Sequence, residues 1–212
     1  MKLILFDLDG TLFRTESVDV SAFNRALEAN GLKKASKERI LSLVGLTLED
    51  FCKELTESDD RALLDKVKAD VIRFEMEEIE ASGELYPGVE KFLKGLKSYG
   101  CILCICSNGS EEYISAISDK FNLSSYFEEI WFSKEGITKS QAAGILKKKF
   151  NQDSFLMVGD RLCDYEAARE NSGISIGVTY GYGGNEPESA DYKADSISGL
   201  EELILKLIQD NK

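Results

Sequence analysis

The sequence predicts an α/β protein: a doubly wound parallel sheet carrying an inserted all-helical segment near its start. Three observations lead there. Short apolar runs alternate with amphipathic helical patterns along most of the chain, the mark of βαβ units whose sheet is covered on both faces. One stretch, from about residue 15 to residue 84, breaks that alternation and is helical throughout. The chain has 212 residues, 43% of them hydrophobic and only two of them proline. That is enough for one large domain or a domain with an insert, and its core needs no disulfide or metal staple.

The elements follow in order. A first strand is expected over residues 2–7, an apolar run that ends abruptly in the turn signal Asp-Leu-Asp-Gly. The insert comes next, with helices expected over 18–29, 37–44, 48–55 and 59–81. Gly31 closes the first of these, and the last sets Leu63, Leu64, Val67, Val71, Phe74 and Ile79 near one stripe. A helix over 88–99 has Val89, Phe92, Leu93 and Leu96 on one face, Pro87 near its start and Gly100 past its end. Strands are then expected over 101–106, 129–132, 154–158 and 175–179, with helices over 110–121, 140–150 and 165–172 between them and a closing helix over 200–209. The resulting division is an α/β core of residues 1–14 and 85–212 with a helical cap of residues 15–84.

Charge and composition narrow the function. Lys and Arg number 26 against 38 Asp and Glu, a net charge of −12 that argues against a nucleic-acid partner. Residues 49–84 hold thirteen acids and five bases, read as a solvated helix face in preference to an acidic docking surface. No run reaches the roughly 20 apolar residues of a membrane span, and the apolar N-terminal stretch is too short for a signal peptide. Five cysteines, an odd number without a secretion signal, point to the reducing cytoplasm. Cys101, Cys104 and Cys106 form C-x-x-C-x-C, but inside an apolar strand and with no second cluster to complete a metal site, so core packing is expected. There is no histidine. Ser-His-Asp and Cys-His catalysis and His-ligated metals are therefore excluded, and acid–base work falls to carboxylates, Lys, Tyr or Cys.

Four segments carry chemistry. Asp7 and Asp9 stand at i and i+2 at the end of the first strand, so their side chains point the same way from positions about 6.6 Å apart. An Asp-Gly turn accounts for Asp9 and Gly10 but not for the second acid. Burying both is costly unless a cation or a proton compensates. The loop Ser107-Asn108-Gly109-Ser110 lies between a strand and a helix, where backbone amides cradle anions. Asp160 and Asp164, after the strand SFLMV, add two more acids at another strand end; with Asp7 they form an oxygen-rich set suited to Mg²⁺, although Asp160 alone would serve as a helix cap. A phosphate dianion also needs a fixed cation. Lys139, opening a helix after EEIWFS, is favoured over Lys134.

In this combination FDLDGT, SNGS, the helix-opening Lys and GDRLCD resemble the four motifs of the haloacid dehalogenase-like hydrolase superfamily, in order and in loop placement. The resemblance covers nearly the whole chain and implies a Rossmann-like core. The insert resembles the cap of the subgroup that holds phosphoglycolate phosphatases and β-phosphoglucomutases. The tail IGVTYGYGGNEPESADYKADSISGLEELI is also similar to phosphoglycolate-phosphatase relatives. The resemblance implies a Mg²⁺-dependent phosphatase acting on a small phosphomonoester. Asp7 would be the nucleophile that forms an aspartyl-phosphate, and Asp9 the acid that protonates the leaving alcohol and then activates water. Mg²⁺ would be held by Asp7, the Asp9 carbonyl, Asp160 and Asp164. Thr11, Ser107, Asn108 and Lys139 would bind phosphate.

Several residues depart from the pattern. Phe13-Arg14 stands where the family often has Asp, Leu48 stands where the sugar-phosphate mutases carry an Arg after the shared Gly45, and Arg161 follows Asp160 in place of a small hydroxyl. With no hinge histidine either, mutase activity is disfavoured. A dehalogenase would not need Asp9, and a phosphate-sensing receiver would lack both the cap and the second acid pair. The cationic cap candidates for substrate choice are Arg14, Arg25, Arg39 and Lys53, and Cys163 lies between two of the acids.

Overall fold

The computed structural model describes residues 2–210. Six parallel strands, β1 (Leu3–Phe6), β2 (Ile102–Cys106), β3 (Glu129–Trp131), β4 (Leu156–Gly159), β5 (Ile174–Val178) and β6 (Tyr192–Ala194), form one sheet in the order β3-β2-β1-β4-β5-β6. The chain winds outward one way through β2 and β3, then crosses back to build β4, β5 and β6. Such a switch point opens a crevice at the carboxyl ends of the central strands. Asp7 follows β1 there, and Asp160 follows β4.

Both faces of the sheet are apolar, and the strands supply them by strict alternation. Ile4, Phe6, Leu103, Ile105, Leu156 and Val158 enter one core, while Leu3, Leu5, Cys104, Cys106, Phe155 and Met157 enter the other. Helices α5 (Val89–Ser98), α6 (Glu111–Lys120) and α9 (Ile197–Asp210) cover the first face; α7 (Lys139–Lys149) and α8 (Leu162–Glu170) cover the second. The cysteines of β2 are thus core residues, all of them free, and burial pushes the Cys104 thiol up to about 12.

Between β1 and α5 lie α1 (Asp19–Ala29), α2 (Lys37–Leu43), α3 (Leu48–Thr56) and α4 (Arg61–Ser82), with their own core around Phe23, Ile40, Phe51, Leu64 and Val71. Ser36, Thr47 and Asp60 cap three of them by accepting the amide protons of Arg39, Asp50 and Ala62. The acidity of this segment is laced into ion pairs, Glu49 meeting Lys53, Arg61 and Lys68.

The sequence reading misses β6 and starts two helices late. Strand β6 is a three-residue edge strand with Tyr192 and Lys193 exposed, so it carries no alternation to read. Helix α8 begins at Leu162 because Asp164 acts as its N-terminal acceptor, taking the Arg161 amide at 3.1 Å. Helix α9 begins at Ile197, where the Ser196 hydroxyl accepts the Gly199 amide at 3.2 Å.

Candidate active site

The crevice at the sheet's carboxyl edge is roofed by the inserted segment, through α1, α3, α4 and the turn between α2 and α3. Asp7, Asp9, Ser107, Asn108 and Tyr113 line it from below, and Asp19, Phe23, Leu48 and Glu75 are among those lining it from above.

Asp7 is almost fully buried, and its two oxygens differ. Oδ1 accepts the Leu8 amide at 2.9 Å and lies 3.1 Å from the Lys139 ammonium, whereas Oδ2 is buried with no hydrogen-bond partner. Lys139 reaches there because a capping box fixes the first turn of α7: Thr138 Oγ1 accepts the Gln141 amide, and Gln141 Oε1 accepts the Thr138 amide. Its ammonium also donates to Asp164 Oδ1 at 2.8 Å. Burial disfavours that charge, but Asp164 and Asp7 outweigh it and raise the lysine's pKa well above the ordinary value. Lys134 instead sits 4.0 Å over the Trp131 ring.

Asp9 faces the same crevice in a different setting. Its Oδ1 accepts from Thr15 Oγ1 at 2.8 Å and from the Tyr113 hydroxyl at 2.7 Å. Burial and the neighbouring Asp7 push it up to about 6, against the pull of those two donors. With Oδ1 saturated, the proton of the neutral acid belongs on Oδ2.

Asp7, Asp160 and Asp164 each bring one carboxylate oxygen within 4.8 Å of the others, the one such trio among the described residues. Gly10 and Gly159 make the packing possible: a Cβ at Gly10, where φ is +67°, would stand 2.6 Å from Asp160 Oδ2, and one at Gly159 would stand 2.0 Å from Asp164 Oδ2. Asp160 Oδ2 accepts the amides of Tyr182 at 2.5 Å and Gly183 at 3.1 Å, leaving Oδ1 buried without a partner. Burial with Asp7 and Asp164 nearby pushes Asp160 up to about 8; burial, eased by Lys139 and reinforced by Asp7, pushes Asp164 up to about 7. Fully ionised, the three carboxylates against one ammonium would carry two uncompensated negative charges. Two orphaned oxygens and that deficit fit a hard divalent cation.

The remaining predicted residues fall as follows. Ser107 lines the crevice, its hydroxyl accepting the Gly109 amide at 3.1 Å. The Asn108 side chain donates to the Gly45 carbonyl at 2.9 Å. Thr11 is fully buried beside the site without lining it, and its hydroxyl has no partner. The Asp9 carboxylate stands outside the acid trio. Cys163 is half-buried, its thiol pushed up to about 12 by burial.

Sequence reasoning overlooked Tyr113, Thr15, Asp19, Glu75 and the Tyr182–Gly183 amides. Only the YGYGG run and the acid at position 75 beside an apolar stripe gave any signal. Arg161, noted as a departure, reaches the insert, donating to the carbonyls of Ser42 at 3.3 Å and of Val44, and pairing with Glu186 at 3.2 Å.

Fold and acid cluster together define a class: a doubly wound α/β enzyme with carboxylates at the switch point and a helical cap above them. The chain belongs to the haloacid dehalogenase-like hydrolases, the family it matches over residues 4–178, and it is a phosphoric monoester hydrolase. It is 28% identical to a phosphoglycolate phosphatase of Vibrio parahaemolyticus, covering 96% of each chain. It is 32% identical to one of Agrobacterium fabrum, covering 85% of this chain and 81% of the other. Among solved structures, a predicted phosphoglycolate phosphatase of Haemophilus somnus superposes with a TM-score of 0.89 at 25% identity, covering 96% and 98%.

Proposed function

We propose that the protein hydrolyses a small phosphomonoester through an aspartyl-phosphate on Asp7, assisted by Mg²⁺ or a similar hard cation held by Asp7, Asp160 and Asp164. The observation that carries this reading is the asymmetry of Asp7, one oxygen tethered to Lys139 and the other unpartnered. When bound, the cation would supply charge neutralisation to the transferring phosphoryl group.

The chain's own residues do the rest. A carboxylate oxygen of Asp7 attacks phosphorus, and the bond from phosphorus to the alcohol oxygen breaks. Asp9 gives that oxygen its proton, a task suited to a carboxyl group pushed up to about 6. Asp9, now ionised, takes a proton from the water that attacks the phospho-aspartate, and inorganic phosphate leaves with Asp7 restored. Ser107, Asn108 and Lys139 hold the phosphoryl oxygens and offset their charge. Residues 15–84 close over the reaction and exclude water.

Two substitutions test this. Asp7→Asn is expected to abolish phosphate release while leaving stability within about 1–2 kcal/mol; retained turnover would end the assignment. Asp9→Asn is expected to stall as a phosphorylated protein 80 Da heavier, or before that stage, by intact mass. Wild-type kinetics would remove Asp9 from its role.

A further inference from the structure

The roof of the crevice holds two acids that the hydrolysis does not use. Asp19 opens α1 and Glu75 lies midway along α4, each about 95% buried, and both face the crevice. Asp19 Oδ1 has no hydrogen-bond partner. The charged and titratable groups around them are Asp9, Tyr113, Glu112 and Cys52, together with each other, and none is a cation. Burial raises both carboxyls well above the ordinary value, reinforced at Asp19 by Glu75 and Asp9 and at Glu75 by Asp9 and Glu112.

The cations that could have met them are engaged elsewhere. Arg14 pairs with Glu16 and Glu84, Arg25 with Glu77 and Glu78, and Arg39 with Glu54; none lines the crevice. Lys139 is held by Asp7 and Asp164 on the side away from the roof. Buried acids persist when something pairs with them. Here the Tyr113 hydroxyl lies beside Asp19 but the protein supplies neither acid with a cation, so the ligand must. The other surfaces beside them are aromatic: Phe23 and Phe51 stack at 4.0 Å between centroids and both line the crevice. Carboxylates next to aromatic rings form a receptor for an organic ammonium.

We propose that the leaving alcohol of the substrate carries an ammonium group received by Asp19 and Glu75, and that an ester whose alcohol bears a carboxylate is discriminated against. This inference rests on the phosphatase reading and gives it a substrate class. It also separates this chain from relatives whose name specifies phosphoglycolate, because a carboxylate beneath Asp19 and Glu75 would find no cation to pair with.

Three esters of nearly equal size test it: O-phosphoethanolamine, ethylene glycol monophosphate and 2-phosphoglycolate. Wild-type kcat/KM is expected to be highest for the ammonium ester, exceeding the carboxylate ester at least about tenfold, the value of one charge-assisted hydrogen bond. Asp19→Asn and Glu75→Gln are each expected to shrink that preference, while raising the melting temperature because a buried unpaired acid is gone. A purely structural role would lower it. Binding of the same esters to Asp7→Asn by calorimetry reads the ranking independently of chemistry. Absence of hydrolysis of all three by the wild type, with the binding order kept, would overturn the phosphatase reading alone. A neutral or carboxylate ester ranking first or equal, no binding of any of the three, or a preference untouched by both substitutions would overturn the ammonium assignment.

Discussion

Asp19 shows how one residue's protonation couples to the stability of the whole chain. It faces Glu75, Asp9 and Tyr113, and its folded pKa is raised by burial first and by the two acids next. The folded state therefore holds a proton that the unfolded chain releases in the ordinary carboxylate range of about 4. Stability from this group is complete below that range and is lost as pH climbs toward the folded value. Melting temperatures of the wild type and Asp19→Asn should therefore converge near pH 4 and diverge above it. The variant is expected to be the more stable by about 1–3 kcal/mol at neutral pH; a constant gap, or one that favours the wild type, would contradict the account. Asp19 left no mark in the sequence, and Glu75 only its place beside an apolar stripe. Asp7, Asp9, Asp160 and Asp164 stand at strand ends in short motifs, where spacing and chain direction place them. Asp19 and Glu75 reach the crevice only through the packing of α1 and α4, which sequence periodicity does not specify. Tyr113 was hidden for the same reason, the third residue of a helix that the sequence marks only as amphipathic.

At the scale of the element, legibility followed burial. Strands β1, β2 and β4 are apolar throughout and flanked by turn signals, and the structure has them within a residue or two of the expected bounds. Edge strand β6 has one buried residue in three and left no trace. Helix starts were misread where a side chain outside the apolar pattern makes the cap, as Ser196 does for α9. The junction of β4 and α8 carries the sharpest prediction. Gly159 ends the strand with Asp164 packed where its side chain would be, and Asp164 in turn holds Lys139 and the Arg161 amide. Gly159→Ala would force that carboxylate aside and break both of these hydrogen bonds together. The expected result is a loss of about 1–3 kcal/mol, read by chemical denaturation, with phosphatase turnover reduced far beyond what the remaining folded fraction explains. A variant of wild-type activity would mean that Asp164 can move without consequence.

At the scale of the whole molecule, the sheet and the helical roof are joined across the crevice by few polar contacts, and two come from the site's own loops. Asn108 donates to Gly45, and Arg161 donates to Ser42 and Val44, so the loops beside the reacting acids hold the turn between α2 and α3. Gly45 has a φ of +100°, and a Cβ there would come within 2.9 Å of the Arg161 side chain, so the clasp requires glycine at that turn. This explains why an arginine replaces the small hydroxyl residue: it is long enough to span from Asp160's loop to the roof, and its fork meets two carbonyls at once. Arg161→Ala should leave global unfolding nearly unchanged, because the two hydrophobic cores are untouched, yet lower kcat/KM about tenfold as the closed state loses its charged hydrogen bonds. Hydrogen exchange of amides 42–47 should quicken in parallel. Arg161→Lys, able to satisfy one carbonyl but not the pair, is expected to fall between the two. Equal exchange and equal kinetics in all three proteins would show that the roof is held by packing alone.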